Sequence, residues 1–168
     1  MNGLRNITLI GMPGAGKSTT GRLLATQLNY ELVDTDHLIC DQQKRSLQAI
    51  VNEKGYMKLR QLEEQVISSL DVAGTVIATG GSAVYSVSAM QHLSRISMIV
   101  YLSVPYAVIA ERIKDLDTRG LAKQAQQSLY DLYVERTRLY EKYAELTVDA
   151  TSLPQSVAEN IVQLIGIK

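Results

Sequence analysis

Eight residues near the start of the chain restrict its fold more than anything else in it. Gly11-Met12-Pro13-Gly14-Ala15-Gly16-Lys17-Ser18 matches the spacing G-x-x-x-x-G-K-[ST] at every fixed position. An apolar run, Ile7-Thr8-Leu9-Ile10, precedes it. A helical pattern over residues 17–28 follows, with Leu23, Leu24 and Leu28 on its apolar side. In a strand, a glycine-rich turn and a helix in that order, backbone N–H groups curl round an anion and the helix N-terminus adds positive potential. Lys17 is then expected to reach the β- and γ-phosphates of a nucleotide, and the Ser18 hydroxyl to serve Mg²⁺. Gly11, Gly14, Ala15, Gly16 and Thr19 complete the expected nucleotide-contacting stretch. A chance glycine-rich turn is the alternative, and the flanking strand and helix weigh against it.

The rest of the chain continues this alternation. Strand-like runs fall at 7–10, 31–33, 75–78, 97–102 and 146–148. Helical patterns fall at 17–28, 36–53 (broken once, restarting at Leu47), 56–70, 87–93, 105–113, 125–143 and 154–165. Alternating strands and helices predict an α/β fold, with a parallel sheet covered by helices on both faces. Residues 115–124 lack periodicity and read as a loop of a length often used as a lid.

Length and charge narrow the classes of partner. The 168 residues fit one domain, 1–168. A chain of this size buries about 70% of its unfolded surface without help from disulfides. Lysine plus arginine equals aspartate plus glutamate at 17 each, which argues against a polynucleotide partner. Cys40 is the single cysteine and cannot form an internal disulfide. The N-terminus carries neither a signal-peptide pattern nor a membrane-length apolar run. The expectation is a cytoplasmic monomer whose partners are small molecules rather than nucleic acid or membrane.

In open α/β sheets ligands bind beyond the carboxyl ends of the strands. After the second strand come Asp34 and Asp36. Asp34 suits the Mg²⁺ sphere, and Asp36, one step farther out, suits contact with an acceptor hydroxyl and removal of its proton. Either could instead cap the next helix, Asp36 more readily. After the third strand, Gly80-Gly81-Ser82 allows close approach of backbone to ligand, or merely a tight turn. In the helix at 56–70, Glu63 falls inside the apolar stripe and Arg60 lies one turn before it. Arg136 falls within the apolar face of the helix at 125–143. An inward arginine needs an anionic partner. Arg60 and Arg136 form either structural ion pairs or a fork for a carboxylate or phosphate. Arg119 suits a lid arginine closing over phosphates. His37 and His92 have no metal-ligand spacing and read as structural or surface residues.

Taken together, these residues resemble the shikimate kinases, small kinases that phosphorylate shikimate at its 3-hydroxyl with ATP. The likeness runs through Gly11 to Ser18, Val33-Asp34-Thr35-Asp36, Leu59-Arg60-Gln61-Leu62-Glu63 and Ala78-Thr79-Gly80-Gly81. It continues through Arg119, Arg136-x-x-x-Tyr140, Asp149-Ala150-Thr151 and Pro154. The resemblance implies a three-layer P-loop NTPase fold with a five-stranded parallel sheet ordered 2-3-1-4-5. It implies ATP and Mg²⁺ as cofactors, with Ser18 and Asp34 at the metal. It implies Lys17, Asp36 and Arg119 in catalysis, and Arg112 and Pro154 flanking adenine. Asp36, Arg60, Gly80, Gly81, Ser82 and Arg136 would meet the carboxylate-bearing acceptor. Three departures stand out: Ser82 where the family has a third glycine, Leu59 for a phenylalanine, and Arg119-Gly120-Leu121 for Arg-Pro-Leu. They leave open a sibling kinase for gluconate, homoserine or another hydroxy acid, and a silent nucleotide-binding regulator.

Overall fold

A computed structural model describes residues 5–114 and 121–166. The strands are β1 Asn6–Ile10, β2 Glu31–Asp34, β3 Thr75–Ala78, β4 Ser97–Ser103 and β5 Leu146–Asp149. They form one parallel sheet in the order β2-β3-β1-β4-β5, as the resemblance implies. The helices are α1 Lys17–Leu28, α2 Thr35–Gln43, α3 Leu47–Lys54, α4 Tyr56–Ser68, α5 Val87–Ile96, α6 Tyr106–Lys114, α7 Leu129–Tyr143 and α8 Pro154–Ile165.

β1 and β3 are buried along their whole length, which is why they read as mainly apolar runs. Their few polar residues hold the sheet in register. The Asn6 side chain donates to Val72 O at 2.7 Å and Ile96 O at 3.0 Å, and accepts from Thr75 N at 2.9 Å. Thr8 and Ser97 hydroxyls meet at 2.7 Å. Buried polar atoms must be paired, so these bonds admit one alignment. That alignment sets Leu9 beside Ala78, Ile10 beside Tyr101, Asp34 beside Ala78 and Ser103 beside Asp149. The chain therefore leaves β1, β2 and β3 toward the site at one edge of the sheet.

Two apolar clusters hold the layers. The large one joins β1, β3 and β4 to α1, α5, α7 and α8 through residues such as Leu9, Leu24, Met90, Tyr140 and Ile161. A smaller one, Ile39, Ile50, Leu59, Leu62, Val66 and Ala122, ties α2, α3 and α4 together beside the cleft.

Most boundaries fall where the pattern places them, and the differences have local causes. The last helical pattern but one was expected from 125, but α7 begins at Leu129. Ser128 caps it: its hydroxyl accepts from Asp131 N at 3.0 Å and donates to Asp131 Oδ2 at 2.6 Å. Asp34, not Asp36, caps α2, accepting from Asp36 N at 3.0 Å and His37 N at 3.3 Å. A 3-10 turn at Ala83–Tyr85 was not foreseen; three residues are too few to show a period.

Candidate active site

The loop after β1 folds as its glycines permit. Gly14 and Gly16 take φ of 80° and 92°, left-handed values that a side chain resists. Ala15 N donates to Met12 O at 3.0 Å, closing the turn. Lys17 is 8% exposed, and its Nζ donates to Gly11 O at 2.7 Å and Met12 O at 2.9 Å. Burial lowers its pKa to about 8; Asp36, Glu63 and Asp34 pull it back up, while Arg136 lowers it further.

Asp34 ends β2 with its two oxygens in two tasks. Oδ1 caps α2, and Oδ2 accepts from Ser18 Oγ at 2.6 Å. The expected metal pair is thus assembled by strand pairing on one side and the phosphate loop on the other. Among the described residues no cluster of three or more His, Cys, Asp or Glu could hold a metal ion. That donor set fits Mg²⁺, which takes one or two protein oxygens and keeps waters and phosphates for the rest.

The loop faces a cleft of about 560 Å³. Lys17, Ser18, Asp34, Asp36, Gly80, Gly81, Ser82, Glu63 and Arg136 all line it. The room at the two glycines is used. A side chain at Gly80 would run into Glu63 and come within 2.7 Å of Asp36 Oδ1. One at Gly81 would sit 2.8 Å from Arg136 Nη1 and from Pro13 Cδ. Gly80 N donates to Thr35 Oγ1 at 3.1 Å, and Gly81 O accepts from the buried Tyr140 hydroxyl at 2.7 Å. Burial pushes that hydroxyl's pKa up, so it remains a donor.

Ser82 is 6% exposed, and its hydroxyl donates to Glu63 Oε2. Glu63 therefore does not pair with Arg60, although the helical spacing allows it. Burial, then the neighbouring Asp36, raises the Glu63 pKa to about 7, against the Ser82 bond, Arg136 and Lys17. The position of Glu63 inside an apolar stripe was the one sequence signal for this cleft carboxyl.

The two arginines meet on one acceptor. Arg136 is 1% exposed and donates from Nη2 to Ala122 O at 2.9 Å; Arg60 Nη2 reaches the same oxygen at 3.3 Å. Neither has a carboxylate within ion-pair distance among the described residues. Arg60 Nε, Arg136 Nε and Glu63 Oε1 are buried without a hydrogen bond. Ala122 belongs to the expected lid, so its described end contacts these arginines. Arg119 lies outside the described residues.

A second cavity, of about 220 Å³, opens behind the loop. Gly14, Ala15, Gly16, Thr19, Arg112 and Pro154 line it. Arg112 Nη1 donates to Gly14 O at 3.0 Å. His92 bonds Leu70 O, away from the cleft, whereas His37 is exposed beside Asp34 at the cleft's rim.

A parallel sheet with a lysine-bearing phosphate loop at the end of its central strand, facing a pocket of carboxylates and the Arg136 guanidinium, defines a P-loop small-molecule kinase. A family model described as shikimate kinase matches residues 13–166. The shikimate kinase of Thermosynechococcus vestitus is 34% identical over 164 residues, 95% of this chain and 89% of that protein. A structure of shikimate kinase from Acinetobacter baumannii in complex with shikimate superposes with a TM-score of 0.88 at 32% identity, covering 96% of this chain and 93% of the other. That from Aquifex aeolicus superposes at 0.82 with 30% identity, covering 96% of each. The chain belongs to the shikimate kinase family.

Proposed function

We propose that this protein transfers the γ-phosphate of ATP to the 3-hydroxyl of shikimate, and that residues 1–168 act as one kinase domain. The observation that carries this reading is Arg136, which lines the cleft, is buried without a carboxylate partner among the described residues and shares Ala122 O with Arg60, a residue that does not itself line the cleft. Buried cations without a carboxylate of their own suit an acceptor that brings one.

Position in the cleft supports the following roles. Gly11 to Thr19 cradle the phosphates, with Lys17 on the transferred end. Arg112 and Pro154 flank the base in the second cavity. Asp36 accepts the proton of the attacking hydroxyl, while Gly80, Gly81 and Ser82 shape the acceptor's wall. Ser18 and Asp34 hold Mg²⁺, which when bound neutralises charge on the transferred phosphoryl. The acceptor lies between Asp36 and the arginines.

The sibling-kinase reading rested on Ser82 and Leu59. Ser82 turns its hydroxyl to Glu63, and Leu59 is packed in the smaller apolar cluster, so neither removes the carboxylate-binding groups. Loss of turnover is countered by Lys17, Ser18, Asp34 and Asp36 standing together in one cleft. A cytoplasmic monomer without nucleic-acid or membrane partners belongs to the same proposal; the formal net charge of zero supports its nucleic-acid part. No helix of the described residues is long and apolar enough to cross a membrane.

Truncating one member of a desolvated charge pair costs roughly 2–5 kcal/mol, or about 30- to several thousand-fold. Arg136→Ala is expected to raise the KM for shikimate by that range while leaving the KM for ATP near the parent's. A variant that phosphorylates shikimate as well as the parent contradicts the assignment.

A further inference from the structure

Two like charges brought to one carbonyl oxygen repel each other, and Arg60 and Arg136 do this in a largely buried setting. Something must offset that repulsion before the acceptor's carboxylate arrives. The structure shows an aromatic face. Tyr85 closes the 3-10 turn that follows Gly80-Gly81-Ser82. The Arg60 guanidinium carbon stands 3.6 Å from the centre of its ring, and that of Arg136 stands 5.5 Å from it. Tyr56 lies 5.0 Å from the same Arg60 carbon. A ring face is electronegative and attracts cations, most strongly where water is excluded.

The ring is itself anchored at both ends. Tyr85 N donates to Ser82 O at 3.1 Å, fixing the backbone. Its hydroxyl donates to Glu135 Oε1, and Glu135 Oε2 accepts from Gln127 Nε2 at 3.0 Å. Glu135 precedes Arg136 on α7, so one helix carries both the ring's anchor and the cation it faces. Tyr85 does not line the cleft; it acts through the guanidiniums.

We propose that Tyr85 is a positioning residue for the acceptor's carboxylate, its ring holding Arg60 and Arg136 side by side before substrate binds. The inference rests on the proposed carboxylate-bearing acceptor. Pre-placing the two cations lowers the ordering cost of binding, so the effect falls on acceptor affinity. Tyr85 has no contact with the phosphate loop among those the structure gives it, so nucleotide binding is expected to be little affected.

Steady-state kinetics of the parent, Tyr85→Phe and Tyr85→Leu, with thermal melting as a fold control, test this. Tyr85→Phe keeps the ring and drops only the Glu135 bond. Tyr85→Leu keeps bulk and drops the ring face. The KM for shikimate is expected to rise about 3- to 30-fold in Tyr85→Leu and to stay close to the parent's in Tyr85→Phe. The KM for ATP is expected to be unchanged in both. Where Tyr85→Leu does not fold, Tyr85→Met, a flexible apolar side chain of similar reach, supplies the comparison. Equal shikimate KM in the ring-less and ring-bearing variants overturns the inference alone. So does a parallel rise in both KM values, the mark of general loosening. A parent that leaves shikimate unphosphorylated contradicts the proposed function and the inference with it.

Discussion

Lys17 has to carry its charge to hold phosphates, and its surroundings make that charge conditional. Burial lowers its pKa to about 8, so free enzyme loses the cation as pH rises through that value. The kcat/KM for ATP, which reports groups on free enzyme, is expected to fall on an alkaline limb centred near pH 8. A profile flat to pH 10 contradicts it. Glu63 is shifted the other way, to about 7, mainly by burial and then by Asp36. A carboxyl whose folded pKa is raised binds its proton more tightly when folded. Its contribution to stability is present below the unfolded pKa near 4.5 and is lost as pH rises through about 7. Glu63→Gln removes that titration. Urea melts should show the variant gaining on the parent between pH 5 and pH 8, and a constant difference across that window contradicts the assignment.

The elements owe their boundaries to single residues. Ser128 sets where α7 begins, and α7 carries Arg136. Ser128→Ala is expected to cost about 1 kcal/mol of stability, read from the denaturation midpoint at unchanged slope. Losses well under this would show that tertiary packing, rather than the cap, holds the start of the helix. The same residue shows what was legible beforehand. Helix α1 and strand β3 were readable to the residue because apolar period and glycine punctuation agree there. At 125–128 the pattern continues into the helix, and only the Ser128–Asp131 exchange marks the true start. The turn at Ala83–Tyr85 leaves no periodic trace, so the aromatic support of the arginines was invisible. Glu63 and Arg60 were visible as a helical pair, but their partners lie on other elements. Ser82 takes the carboxyl and Tyr85 takes the guanidinium, contacts that exist only once α4 meets the turn.

At the scale of the molecule, the sheet register brings together groups that the chain keeps apart. Ser18, Asp34, Gly80 and Arg136 come from four segments and line one cleft. Strand order and strand-end residues were enough to place this cleft, because ligands in such sheets gather where the strands end. Its size and the second cavity at Arg112 and Pro154 required the packed structure. The narrowness at Gly81 gives a further prediction. Gly81→Ala puts a methyl group 2.8 Å from Arg136 Nη1 and from Pro13 Cδ, so kcat/KM for shikimate should fall at least 10-fold, and overpacking of about 1–3 kcal/mol should lower the melting temperature by a few degrees or more. Unchanged kcat/KM would mean the acceptor wall lies elsewhere.

Acceptor-dependent ADP release measures the identity of the acceptor directly. Shikimate, gluconate and homoserine are compared at equal concentration with ATP and Mg²⁺, and the phosphorylated carbon is located by phosphorus–proton NMR. ADP release that depends on shikimate, with the phosphate on its 3-hydroxyl, is the predicted result. Release that ignores shikimate, or that prefers gluconate or homoserine, contradicts it.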